Sequence, residues 1–119
     1  MKKTLVIGAS EKPERYSNKA IRALRGYGHP VVAIAPRMGQ VGDVPFDIEK
    51  KQYHEVDTVT LYVGPQNQPP FYDYIVGLNP GRVIFNPGTE NPEFVRMLQD
   101  NGIRCDEACT LVLLNIGAY

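Results

Sequence analysis

The sequence predicts a three-layer α/β domain on a mostly parallel sheet of five or six strands, and three observations lead there. Short runs rich in β-branched residues recur along the chain, each stopped by glycine or proline. Several of these runs are apolar at consecutive positions rather than alternate ones, as strands buried on both faces of a parallel sheet must be. The segments between them carry apolar residues at helical spacing. Strand, helix and strand in repetition imply right-handed crossovers, hence a doubly wound, Rossmann-like arrangement in a single domain over residues 1–119.

The first strand runs from Thr4 to Ile7 and stops at Gly8. Its start, Met1-Lys2-Lys3, has the charge of a leader peptide, but the apolar stretch is too short and breaks before charged residues resume. A helix follows, with Ser17 as its cap and Ala20, Ile21, Leu24 and Tyr27 as its apolar stripe. Gly26, Gly28 and His29-Pro30 stop it. Val31 to Ala35 make the second strand, ended by Pro36, and Val44-Pro45-Phe46 suits a short edge strand because proline is tolerated there. Thr58 to Val63 form the next strand, ended by Gly64-Pro65. Phe71, Tyr74, Ile75 and Leu78 then mark a helix within Gln68 to Leu78.

Arg82 to Phe85 is a further strand, closed by Asn86-Pro87-Gly88. Asn91-Pro92-Glu93 opens a helix with a capping side chain, a proline at the first helical position and an early acid. Phe94, Met97 and Leu98 share its apolar face, and Asn101-Gly102 ends it. Ile103 to Cys105 is a shorter strand, and Leu111 to Leu114 a packed terminal element.

The chain has 119 residues, 43% of them apolar, enough for one domain with its own core. Its 13 basic and 13 acidic side chains give a formal charge of zero. Nucleic acid and anionic membranes call for a clustered basic surface, so neither is an expected partner. No apolar run approaches the roughly 20 residues of a membrane span, and a cytoplasmic location is expected. Cys105 and Cys109 fit neither a redox C-x-x-C nor half of a zinc site, so two reduced thiols and no metal are expected.

In an open parallel sheet, ligands collect beyond the carboxyl ends of the strands, where strand order reverses. The first such loop begins Gly8-Ala9-Ser10 and runs through Arg15 to Ser17. Small residues leading into a helix aim backbone amides at an anion, and Ser10, Ser17 and Arg15 add donors suited to phosphate. The loop is not a G-x-G-x-x-G turn, and a tight turn that needs small residues for packing explains Gly8-Ala9-Ser10 as well. After the second strand, an NAD-binding unit normally places an acid on the ribose 2′-hydroxyl. Here Pro36-Arg37 stands there. An arginine suits a phosphate on the adenosine ribose, as in NADP or the 3′-phosphate of coenzyme A, although a solvated surface arginine fits the position equally.

The order of motifs carries a resemblance. Val6-Ile7-Gly8-Ala9-Ser10 is followed by Arg15-Tyr16-Ser17 and by a strand ending in Pro36. Then come Gly42 to Phe46 (G-x-x-x-F), Asp57 to Val63 (D-x-V-x-x-x-V) and Gly102-Ile103 with Asp106 (G-I-x-x-D). From Leu5 to about Cys109 the chain resembles the CoA-binding domain family, small stand-alone proteins similar to the N-terminal domain of the succinyl-CoA synthetase α subunit. The resemblance implies CoA or acyl-CoA held by Gly8, Ala9, Ser10, Arg15 and Ser17, with Pro36 and Arg37 beside the adenosine and Val63, Gly64 and Pro65 lining the pocket. It departs where the family's asparagine before the second-strand proline is Ala35, and where Phe85-Asn86-Pro87 replaces an aromatic and a glutamine.

No catalytic constellation emerges from the sequence. Ser10 is not in a nucleophile elbow, and His29 and His54 precede strands, at the end of the sheet opposite the expected site. Glu90, Asp106 and Glu107 follow strands and would form an acid–base pair only if they converge. Cys109 could pair with the thiol of CoA, or be an ordinary buried cysteine. The leading expectation is a non-catalytic CoA-binding module. An NADP-type enzyme or a small acyl-CoA-using enzyme is the second, although these residues leave no room for the substrate domain a reductase usually adds. The third is an interaction protein with a vestigial pocket, forming a homo-oligomer through Leu111 to Leu114.

Overall fold

The computed structural model describes residues 1–119. In chain order the elements are β1 (Thr4–Ile7), α1 (Tyr16–Gly26), β2 (Val31–Ile34), β3 (Gly39–Val41), β4 (Val44–Asp47), β5 (Thr58–Leu61), α2 (Tyr72–Leu78), β6 (Arg82–Phe85), α3 (Pro92–Asp100), β7 (Arg104–Glu107) and α4 (Thr110–Asn115). They build one seven-stranded sheet in the order β3-β4-β2-β1-β5-β6-β7. All neighbours are parallel except β3 and β4, which form an antiparallel hairpin. The doubly wound α/β expectation holds, with strand order reversing between β1 and β5, although the sheet has seven strands where five or six were expected.

Every residue of β1, β5 and β6 is buried, which explains their unbroken apolar or β-branched runs. Alternate residues serve opposite faces. Leu5, Ile7, Val59, Leu61, Val83 and Phe85 meet Ile75 of α2 and Phe94 and Leu98 of α3. Val6 and Ala33 on the other face meet Ile21 and Leu24 of α1 and Leu114 of α4.

Four expectations need correction. The strand at Val44 to Phe46 is not the edge: β4 lies between β2 and β3, and Gly39–Val41, read as loop, is the edge strand. Pro45 is tolerated because the β2–β4 register begins at Ala33 and Phe46, one residue beyond it. Gly42, at φ +56°, leads the two-residue turn that folds β3 back on β4. The last strand sits later than Ile103 to Cys105, at Arg104–Glu107. The helix in Gln68 to Leu78 is confined to its second half, because Pro65 and Pro69-Pro70 hold the approach in 3-10 turns at Pro65–Asn67 and Pro69–Phe71. Finally, Tyr27 lies beyond the end of α1 and is exposed instead of completing its stripe.

Candidate functional site

The loop after β1 starts with a close approach. Gly8 has φ +98°, and a Cβ there would come 2.8 Å from the Tyr62 carbonyl oxygen, so only glycine lets the end of β5 pass. The Gly8 and Ala9 amides both donate to the Ile34 carbonyl, at 2.9 and 3.1 Å, and are spent on the sheet. From Ser10 onward the loop ties itself together. Ser10 Oγ accepts the Lys12 amide, its carbonyl accepts Asn18 Nδ2, and the Lys12 carbonyl accepts the Arg15 amide. Arg22 completes the tie, donating to Asn18 Oδ1 at 2.7 Å and to the Pro13 carbonyl at 3.2 Å.

Helix α1 begins without a cap. Arg15 occupies the N-cap position in extended conformation and no side chain accepts from the first turn, which corrects the reading of Ser17 as the cap. An arginine side chain has no acceptor atom to offer. The first helical bond runs from the Lys19 amide to the Arg15 carbonyl at 3.1 Å, so the Tyr16, Ser17 and Asn18 amides meet no protein acceptor. Ser17 is the second helical residue and is buried. Free amides at the positive end of a helix dipole form an anion site.

Tyr16 and Ser17 open on a cleft of about 660 Å³ at the switch between β1 and β5. Gly8, Ala9, Ser10, Arg15 and Ser17 line one wall, Pro36 and Arg37 a second, and Val63 and Gly64 a third. Pro65 stands outside it, exposed at the start of a 3-10 turn. Arg22, Arg25, Arg82 and Arg104 are each engaged by oxygen atoms of the protein. Lys12, Arg15 and Arg37 are exposed at the cleft and have no such partner. Glu11, Lys12, Tyr16 and Met38, not singled out by the sequence pattern, also line it. The charge of Lys12, inside the loop already singled out, was the available signal. Tyr62 lines the cleft too, and burial pushes its phenol up to about 12, so it stays protonated.

An apolar chamber of about 410 Å³ adjoins the cleft, sharing Gly8, Pro36, Val63 and Asn67 with it. Ile34, Ala35, Ile48 and Phe71 supply its apolar surface, and Lys50 Nζ lies 5.0 Å above the Phe71 ring. Ala35, where the family resemblance led to asparagine, is a buried part of that lining, with its amide donated to the Asp47 carbonyl at 3.0 Å.

The remaining candidates lie elsewhere. Glu90 Oε1 accepts the Gly88 amide at 2.9 Å, Asp106 pairs with Arg104 at 2.9 Å, and neither they nor Glu107 reach the cleft. His29 accepts the Lys2 amide at 3.0 Å beside the first residue of β1, and His54 is exposed before β5. Cys109, half-buried, holds the N-cap position of α4 and does not line the cleft. Burial, with Asp106 adding to it, pushes the Cys105 thiol up to about 11, which keeps it a poor nucleophile. In α4, Leu114 packs into the core while Val112 is exposed. No helix is long and apolar enough to cross a membrane.

The family model for the CoA binding domain matches residues 2–115. The chain belongs to the CoA-binding domain family. No curated protein matches it. Among solved structures, this family member is similar to an uncharacterized protein at 44% identity, with a TM-score of 0.97 and coverage of 100% of this chain and 98% of that one. It shares its fold with cell-free ID.343 from Thermus thermophilus, at 24% identity and a TM-score of 0.87, covering 99% and 90% of the two chains. The same fold recurs in the dinucleotide forming acetyl-coenzyme A synthetase 1 of Ca. Korarchaeum cryptofilum, in complex with phosphate and ADP, at 20% identity and a TM-score of 0.71. That match covers 87% of this chain and 25% of the synthetase chain.

Proposed function

We propose that this protein is a CoA- or acyl-CoA-binding module that holds its ligand without turning it over. The observation that carries the reading is a convergence. The unpartnered amides of Tyr16 and Ser17 in α1 share one cleft with three unpartnered cations, Lys12, Arg15 and Arg37, in a chain whose formal charge is zero. The diphosphate of CoA sits over the start of α1, with Arg15 against it. The adenine enters the apolar chamber between Pro36, Val63 and Phe71, and Arg37 meets the ribose 3′-phosphate. Because Gly8 and Ala9 have given their amides to Ile34, those two residues shape the floor and the phosphate donors begin at Ser10. The binding-module reading is supported by the position of both histidines and of Glu90, Asp106 and Glu107 outside this cleft.

A thermal-shift panel with CoA, acetyl-CoA, NADP, NAD and ATP tests it. Binding stabilises the native state by RT ln(1 + [L]/Kd), about 2.7 kcal/mol at a hundredfold excess over Kd. CoA and acetyl-CoA are expected to raise Tm most. No shift with CoA, or a larger one with NADP, contradicts the proposal.

A further inference from the structure

Glu11 is the one carboxylate among the residues lining the cleft. It reaches across to the edge strand, where its Oε2 accepts the Gln40 amide at 3.0 Å. Its stem lies against Gly39 so closely that a Cβ there would meet Glu11 Cγ and Cδ at 2.8 Å and Phe46 Cε1 at 2.7 Å. Gly39 is not among the positive-φ glycines, so what position 39 requires is room for Glu11 and not an unusual backbone. The β3–β4 hairpin is anchored in the core by Val41, Val44 and Phe46, but its Gly39–Gln40 end has few backbone ties to the rest of the sheet. β4 meets β2 at two register pairs, and β3 has no neighbour but β4. The far end of the hairpin is held separately, by the Arg25–Asp43 fork at 3.0 and 2.8 Å. Arg37 lies two residues upstream of Gly39, on the side that Glu11 holds.

We propose that Glu11 is a positioning residue. By clasping Gly39 and Gln40 it fixes Arg37 relative to Lys12 and Arg15, and so makes the cleft selective for adenosine nucleotides phosphorylated at both the 5′ and the 3′ position of the ribose. The inference rests on the phosphate-binding reading of this cleft. Two anionic groups on one ligand reinforce each other only when the two cationic sites are held at a matching separation. A loose hairpin leaves the first-loop site intact and disperses the second.

Calorimetric titration with inorganic pyrophosphate, ADP and 3′-phosphorylated ADP separates the outcomes. The wild type is expected to bind 3′-phosphorylated ADP roughly tenfold more tightly than ADP, the worth of one charge-assisted contact. Glu11→Ala is expected to bring that preference to within about twofold while pyrophosphate binding holds or tightens, since a negative charge leaves the cleft. Glu11→Gln keeps an acceptor for the Gln40 amide and should keep the preference. Gly39→Ala, whose Cβ crowds both the Glu11 stem and the Phe46 ring, should lose it at least as fully as Glu11→Ala. A wild-type preference in Glu11→Ala, or a parallel loss of pyrophosphate binding, overturns the positioning role while leaving the CoA reading intact. A wild type indifferent to the 3′-phosphate removes the Arg37 assignment and this proposal with it. A wild type that binds none of the three probes contradicts the functional reading itself.

Discussion

Two stretches of the same rim differ in how their polar groups are used. After β6 and β7, the loops close on themselves. Asn91 Oδ1 caps α3 by accepting the Phe94 amide at 3.1 Å, and Asn86 Oδ1 accepts the Thr110 amide at 2.9 Å where α4 begins. Gln68, fully buried between them, donates to the Val63 and Thr89 carbonyls and accepts from Asn91 Nδ2. After β1 and β2, the loop backbone is tied just as firmly, yet the first-turn amides of α1 and three cations are left over. Folded proteins satisfy their polar groups internally or from outside. α4 leaves the Leu111 and Val112 amides over as well, so what sets the second stretch apart is the three unpartnered cations of the cleft beside its free donors.

That contrast can be broken from either side. The largest effect is expected on the closed side. Asn86→Ala removes the buried donor to Thr60 Oγ1 and the Leu61 carbonyl, and strips the Thr110 amide of its acceptor. A loss of about 3 kcal/mol in denaturant-measured stability is expected, with the CoA affinity of the folded fraction unchanged within about twofold. On the open side the effects reverse. Arg15→Ala should alter stability by less than about 0.5 kcal/mol, because the side chain is exposed and unpartnered, while weakening CoA about tenfold. Equal stability losses in the two variants would erase the distinction.

The sheet was legible where burial on both faces wrote an unbroken apolar run, as in Leu5-Val6-Ile7 of β1 and Val83-Ile84-Phe85 of β6. β3 was not, because Gly39-Gln40-Val41 contains one buried apolar side chain and becomes a strand only when the Gly42 turn lays it on β4. Ser17 has the chemistry of a cap, but the Lys12–Arg15 turn starts the helix at Tyr16 and carries Ser17 inside. The candidate site was legible in its charges, since Arg15 and Arg37, singled out from the strand-end loops, both line the cleft. The engagement of the Gly8 and Ala9 amides by Ile34 and the reach of Glu11 to Gln40 were not. Both join positions more than twenty residues apart, which no local pattern encodes.

The most direct measurement is amide-resolved NMR during a CoA titration. The Ser10, Tyr16 and Ser17 amides are expected to shift strongly and saturably while Gly88, Thr89 and Thr110 stay in place. Shifts concentrated in residues 86–91 and 107–110, with the first turn of α1 unmoved, would contradict this expectation.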